Sequence, residues 1–367
     1  MKENISLWQL FILVFLYLLG SSIVVNIGVK AGRDAWIAIL IACISGLFLV
    51  FVYLQLLKWF PTKNLFEILD ECFGKWLGCF LGIIYISFFF LLASFVLRDF
   101  GELMVSSIFL KTPIEFIHIT MILLIVYILI LGIEVLGRIT EIFIPYATIF
   151  LLFVGLGVIL SGAMELKNLF PILGDGFMPV LKPAFIEIIH FPFGEFIAFM
   201  VIIPYVTKFK YATKTSVMAY ITGGIFLVYS SILQITSLGI LKERVNFPLL
   251  STARQISLLN FIERVDLLIV FIMMLGIIVK ISVLLYGGLK GLEKIFKIPY
   301  RVFAFPMGMI ISFFSILIGE DYYEYIELGG KVLTIYIQSA LQIIVPIVLL
   351  AIAFFKKNRV VKKSEPN

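Results

Sequence analysis

Ten long apolar segments constrain this chain more than any other feature of its sequence. They lie at roughly 8–29, 35–57, 79–105, 114–133, 140–161, 184–206, 214–239, 266–288, 301–318 and 333–355. About 20 apolar residues are enough to cross the hydrocarbon core of a bilayer as a helix, and lipid offers backbone polar groups no partner outside the helix itself. The sequence therefore predicts an all-α integral membrane protein with ten transmembrane helices.

Composition and charge agree with this class. Of the 367 residues, 62% are hydrophobic and 14% are charged, whereas about 25% are charged in an ordinary soluble domain. The net charge of +6 arises from basic residues between the apolar segments and in the tail at 356–367, where they orient the spans. With the N-terminus in the cytoplasm, 17 Lys and Arg lie inside and 11 outside, with Lys280 counted apart as intramembrane. We therefore expect both termini to be cytoplasmic and no nucleic acid to be bound.

The ten segments fall into two groups of five. A connection at 162–183 that is rich in proline and glycine separates residues 1–161 from residues 184–355, and the basic tail at 356–367 follows. An odd number of spans per half makes the second half enter the membrane with inverted topology, as in many secondary transporters. The predicted architecture is a 5+5 inverted repeat, with 162–183 on the extracellular side.

The first segment of each half is interrupted near its middle. Segment one carries Gly20-Ser21-Ser22, and segment six carries Phe191-Pro192-Phe193-Gly194-Glu195. Proline removes a backbone donor, and glycine weakens a helix and lets a ligand approach the backbone. Paired interruptions at corresponding places point to a transporter-type binding site, and the freed ends of the half-helices suit an ammonium and a carboxylate. A packing role for these small residues is the alternative.

Two ionisable residues lie inside apolar segments, namely Glu195 and Lys280. A central lysine costs about 2.5–3.5 kcal/mol on insertion scales, so it is expected to face a partner or a polar cavity. Helical spacing puts Gly276 and Gly287 on the face of Lys280, which allows another helix to approach closely. Three explanations stay open. The ammonium replaces a coupling sodium and donates to carbonyls around Gly20–Ser22, it forms a structural pair with Glu195, or it contacts water.

Catalytic and metal-binding patterns are absent from the sequence. The three cysteines and two histidines, His118 and His190, form no zinc motif or disulfide framework. There is also no nucleotide-binding loop and no serine hydrolase motif. We expect a protein that is not an enzyme and needs no cofactor.

The chain resembles the B-subunit family of spore germination proteins, the permease-like subunits of bacterial germinant receptors, in the amino acid–polyamine–organocation superfamily. The resemblance covers nearly the whole chain, and it rests on the order and spacing of the following motifs: Leu19-Gly20-Ser21, Ala31-Gly32-Arg33-Asp34-Ala35-Trp36-Ile37, Leu97-Arg98, Lys111-Thr112-Pro113, Arg138-Ile139-Thr140-Glu141 with Pro145, Asn168-Leu169-Phe170-Pro171 with Gly176 and Pro179, Pro192-Phe193-Gly194-Glu195, and Ile262-Glu263-Arg264-Val265-Asp266.

This resemblance implies a LeuT-type fold with broken helices 1 and 6 in the inner membrane of a spore. It implies a subunit that binds a small germinant, such as an amino acid, and signals to an A subunit and a lipoprotein C subunit. An amino-acid permease that moves the ligand across the membrane is the alternative. The implied ligand site comprises Gly20, Ser21, Ser22, Phe193, Gly194 and Glu195, with Leu92 and Tyr286 matched only by segment and depth. A role for Lys280 as the ion-site surrogate is one of the three explanations given above.

Overall fold

The computed structural model describes residues 4–23, 25–256, 266–319 and 328–364, with side chains described outside 328–335 and 357–364. Residues 262–265 of the last resemblance motif lie outside these ranges. The α-helices are Leu7–Leu19 (α1), Ala35–Trp59 (α2), Leu65–Phe73 (α3), Lys75–Ser107 (α4), Ile114–Leu131 (α5), Ile133–Leu160 (α6), Met178–Pro183 (α7), Phe209–Leu238 (α8), Pro248–Arg254 (α9), Asp266–Phe296 (α10), Tyr300–Leu317 (α11) and Val345–Ser364 (α12).

The helices coincide with the ten predicted apolar segments. Within the described ranges, nine helical stretches are long and apolar enough to cross a membrane, and α1 is a shorter apolar helix. The sequence predicts where the helices lie more accurately than it predicts their first and last residues. For example, α6 begins at Ile133 rather than near 140, because Gly132 adopts a φ of 121° and separates α5 from α6 by a single residue. Left-handed and extended positive φ values of this kind are accessible to glycine at little cost.

The first span is broken where the sequence predicts it. Ser6 and Gln9 begin α1 with a reciprocal capping box, and the helix ends at Leu19 because Gly20 has non-helical angles of φ 17° and ψ −124°. Thirteen helical residues reach about 20 Å, whereas the hydrocarbon core is about 30 Å thick. The chain must therefore complete this crossing through the irregular residues after Gly20.

The sixth span is also broken, and proline causes the break. It begins with α7, continues as a π-helix over Ala184–Phe193 and ends as a 3₁₀-helix over Gly194–Met200. Phe191 leaves helical geometry at φ −123° and ψ 116°, because the ring of Pro192 disfavours the α conformation in the residue before it. The prediction of broken helices 1 and 6 is confirmed.

Helix α10 lies at the centre of the packing. It contacts α1, α4, α6 and α11, and glycines on its surface permit the close approach of α4. A Cβ atom at Gly288 would lie 2.2 Å from the Phe90 side chain, and one at Gly287 would lie 3.1 Å from the ring of Phe89. Because small residues let helices in membranes pack closely, α4 and α10 form a tight pair.

The connection between the two halves is fastened to the start of α2. The Asp34 carboxylate accepts the backbone N–H of Leu173 at 3.1 and 3.2 Å, and Arg33 donates to the carbonyl of Phe170 at 2.7 Å. These bonds hold the connection at 162–183 against the start of α2. The predicted boundaries at 1–161, 162–183, 184–355 and 356–367 stay a prediction, although α7 already begins inside the predicted connection.

Candidate ligand site at two helix breaks

The two breaks meet through the last turn of α1. The Tyr17 hydroxyl donates to the backbone carbonyl of Glu195 at 3.2 Å, and the Tyr17 ring packs edge-on against Phe199 with ring centroids 5.1 Å apart. Tyr17 lies one turn before Gly20, and Glu195 follows the Phe191 break. The interrupted parts of spans 1 and 6 are therefore in direct contact inside the protein.

Lys280 of α10 enters this junction and pairs with Glu195. Its Nζ lies 2.7 Å from Glu195 Oε2, and the exposed fractions of the two side chains are 0% and 1%. The same Nζ lies 4.2 Å from the ring centroid of Phe191 and 5.5 Å from that of Tyr17. A carboxylate and two aromatic rings thus surround one ammonium, and both types of group attract a cation.

The stem of Lys280 lies against the break in span 1. A Cβ atom at Gly20 would lie 2.9 Å from Lys280 Cδ, and one at Gly276 would lie 2.8 Å from Gly20 Cα. The predicted small-residue face of α10 is therefore confirmed at Gly276. Glycine is required at position 276, where a side chain would overlap the backbone of Gly20, whereas a side chain at position 20 would displace the flexible stem of Lys280.

Ser22 of the first break faces a small cavity on the side of α8. Ser22 lines a small cavity formed with Ile39 of α2 and with Ser230, Ser231 and Gln234 of α8. The volume of this cavity is about 10 Å³, which is roughly the room that one water molecule needs.

The serine hydroxyls of the first break and the backbone carbonyl beside them differ in whether they have a hydrogen-bond partner. The carbonyl of Ile23 accepts from Ser230 and Gln234 at 3.4 and 3.3 Å. In contrast, the hydroxyls of Ser21, Ser22 and Ser231 are buried without a hydrogen-bond partner within the described part of the chain. Span 1 thus presents Gly20 to α10 and presents Ser22 to α8.

Phe193 and Gly194 also point away from Lys280. The Phe193 ring packs on Tyr220 of α8 with centroids 5.4 Å apart, and the carbonyl of Gly194 accepts from Tyr53 of α2 at 3.4 Å. A Cβ atom at Gly194 would lie 2.3 Å from Gln342 Oε1. These two residues therefore connect the sixth span with α2, α8 and the π-helix Leu328–Ile344.

Tyr286 lies apart from the ion pair along α10, and Leu92 lies in the interior of α4. Leu92 is buried in α4. Tyr286 lies six residues after Lys280, about 9 Å further along α10, and its ring packs against Tyr205 and Tyr300. The structure thus brings Gly20, Glu195 and Lys280 together and places Tyr286 further along α10.

His190 belongs to a buried polar network that the sequence analysis did not find. Its Nδ1 lies 3.3 Å from Gln342 Oε1, and its Nε2 lies 3.1 Å from Ser339 Oγ. Tyr53 donates to the carbonyl of Gln342 at 2.5 Å, and Tyr85 donates to that of Leu341 at 2.6 Å. Polar residues inside apolar segments, such as His190 and Gln342, were the available signal, but their positions in the sequence do not reveal that they are partners.

Comparison with known proteins identifies the family. A family model described as spore germination protein matches residues 4–323. The chain belongs to this spore germination family. It is 34% identical over 363 residues to spore germination protein KB of Bacillus subtilis, covering 98% of this chain and 96% of the relative. It is also 24% identical over 305 residues to spore germination protein A2 of the same organism, covering 80% and 82%.

The fold has a counterpart among solved structures. The crystal structure of MhsT in complex with L-phenylalanine aligns with a TM-score of 0.68 and 12% identity, covering 96% of this chain and 99% of MhsT. At this identity the likeness concerns the fold alone. The predicted ten-helix, 5+5 inverted-repeat fold of the LeuT type is confirmed, as is a multi-pass membrane protein.

Proposed function

We propose that this spore germination protein is the membrane subunit of a nutrient germinant receptor. It binds a small germinant, most simply an amino acid, where the breaks of spans 1 and 6 meet, and it signals the binding to an A subunit and a lipoprotein C subunit. The observation that carries this proposal is the junction of Gly20, Glu195 and Lys280 in a chain with germination relatives.

The chemistry of the junction supports a charged or zwitterionic ligand. Glu195 and Lys280 are buried and adjacent, and buried ionisable groups in a membrane-spanning bundle commonly mark ligand or ion pathways. The fold also matches a structure that holds L-phenylalanine. We place the subunit in the spore inner membrane with both termini in the cytoplasm, as the family resemblance and the basic residues indicate.

An amino-acid permease is the second candidate, and the LeuT-type fold is the observation that favours it. The two functions share one site and differ in net movement of ligand. Uptake of radiolabelled amino acids by the purified protein in liposomes, compared with nutrient germination of spores that lack the protein, separates them. A receptor subunit gives a germination defect without saturable uptake, whereas saturable uptake supports the permease.

Replacing Gly20 with valine tests the location of the site. A branched side chain would overlap Lys280 Cδ and the Tyr17 carbonyl, because a Cβ atom alone comes within 2.9 and 3.0 Å of them. We expect Gly20→Val spores to contain the protein and to lose most of their germination response to amino acids.

The matched control is Gly82→Ala in α4, where a Cβ atom would make an ordinary 3.6 Å contact with Phe66. Protein level is measured by immunoblotting, and germination is measured by the fall in optical density. A normal amino-acid threshold in a well-expressed Gly20→Val strain would show that the ligand does not bind beside Gly20.

A further inference from the structure

The ammonium of Lys280 occupies a site with the features of an ammonium-recognition pocket. Glu195 supplies a carboxylate oxygen at 2.7 Å, and the rings of Phe191 and Tyr17 stand 4.2 and 5.5 Å away. A simple structural ion pair needs only the two charges. Aromatic rings add a preference for a cation without adding a second negative charge.

This pocket lies at the breaks themselves. Phe191 is the residue that leaves helical geometry in the sixth span, and the Lys280 stem lies over Gly20. We propose that the pocket recognises the ammonium group of a zwitterionic ligand, and that Lys280 occupies it when no ligand is bound. This inference rests on the proposed function and specifies the chemical class of the ligand.

Charge balance favours a zwitterion over the other ligand classes. A ligand ammonium that replaces the lysine at Glu195 displaces a buried cation, which then needs an anion. A carboxylate in the same ligand molecule supplies that anion to Lys280. The single ion pair between Lys280 and Glu195 is then replaced by two ion pairs, each between one of these residues and the ligand. A simple amine would leave Lys280 unpaired, and a simple acid would leave Glu195 unpaired. An uncompensated buried charge is strongly unfavourable.

Two truncations test the two halves of this exchange without knowledge of the natural ligand. Lys280→Ala removes three methylene groups and the ammonium, which together correspond to n-propylammonium. Glu195→Ala removes a group that corresponds to acetate. Each purified variant in detergent is titrated with its missing group while its melting temperature is measured. A compound that binds only the folded protein raises the melting temperature with concentration.

We expect n-propylammonium to stabilise Lys280→Ala with an apparent affinity at least tenfold higher than that of propan-1-ol, which has the same shape without the charge. Adding Glu195→Gln to Lys280→Ala should abolish this difference. Acetate should stabilise Glu195→Ala and leave Glu195→Ala/Lys280→Met unchanged. The matched control is Lys294→Ala on the same helix, whose partner Asp70 is part-exposed and for which no rescue is expected.

Equal effects of n-propylammonium and propan-1-ol, or an ammonium effect that survives Glu195→Gln, would overturn the proposal. If Lys280→Ala fails to accumulate, the two compounds are added during expression. Accumulation with the amine alone supports the pocket, whereas failure with both compounds beside normal accumulation of Lys280→Met overturns it. If neither compound rescues its variant while wild-type spores still germinate in response to nutrients, the ammonium pocket is overturned and the proposed receptor function is unaffected.

Discussion

Lys280 and Glu195 are each costly to bury alone, and the structure buries them together at 2.7 Å. Losing one partner of a buried pair costs about 3–5 kcal/mol, since the other charge remains uncompensated. Lys280→Met keeps the length and apolar stem of the side chain and leaves Glu195 unpaired. We therefore expect lower abundance of the single variant in spore membranes and recovery of abundance in Lys280→Met/Glu195→Gln, measured by quantitative immunoblotting.

The germination threshold of the same strains addresses the other role predicted for Lys280. The substitution of the Lys280 ammonium for a sodium ion at the carbonyls of Gly20–Ser22 stays a prediction. It would make the threshold of Lys280→Met depend on sodium without a loss of abundance. Recovery of both abundance and threshold in the double variant would favour the structural pair instead. Lys294→Met provides a control for removing a less buried lysine from α10.

At the scale of helices, the π-helix Leu328–Ile344 is held by tyrosines from two other spans. Tyr85 of α4 donates to the carbonyl of Leu341 at 2.6 Å, and Tyr53 of α2 donates to that of Gln342 at 2.5 Å. Tyr85→Phe removes only the donor and leaves a buried carbonyl unsatisfied, which costs about 1–3 kcal/mol. We expect a lower melting temperature for purified Tyr85→Phe, with Tyr146→Phe at an exposed position of α6 as the control. An unchanged melting temperature in Tyr85→Phe would mean that this bond does not hold the helix.

The breaks were predictable from sequence, and the contacts between helices were not. Pro192 and Gly20 act on their own backbone, so local chemistry predicts where spans 1 and 6 stop being regular helices. The partner of Lys280 depends on how α10 packs against two other spans, and the sequence left three alternatives open. The same limit explains why Ser22 was grouped with Gly20, although packing turns Ser22 toward α8. It also explains why the contacts of His190 with Gln342 were missed.

At the scale of the whole molecule, the described chain consists of membrane-spanning helices and of connections that are bonded to them. The connection between the two halves is bonded to the start of α2, through Asp34 and the backbone of Leu173 and through Arg33 and the carbonyl of Phe170. In the proposed receptor, surfaces of these spans and loops are available to pass a change of conformation to partner subunits. The π-helix Leu328–Ile344 is one element that contacts the sixth span and carries exposed side chains such as Tyr336.

Assembly with partner subunits therefore distinguishes a receptor subunit from a permease that acts alone. Affinity purification of the tagged protein from spore membranes in mild detergent should recover an A subunit and a lipoprotein C subunit, identified by mass spectrometry. Because the partners are expected to contact the subunit without contributing to its ligand site, Gly20→Val should retain them while losing the germination response. An unrelated multi-pass protein of the same membrane, carrying the same tag, controls for nonspecific recovery. Isolation of the protein without either partner, together with saturable amino-acid uptake in liposomes, would reject the receptor in favour of the permease.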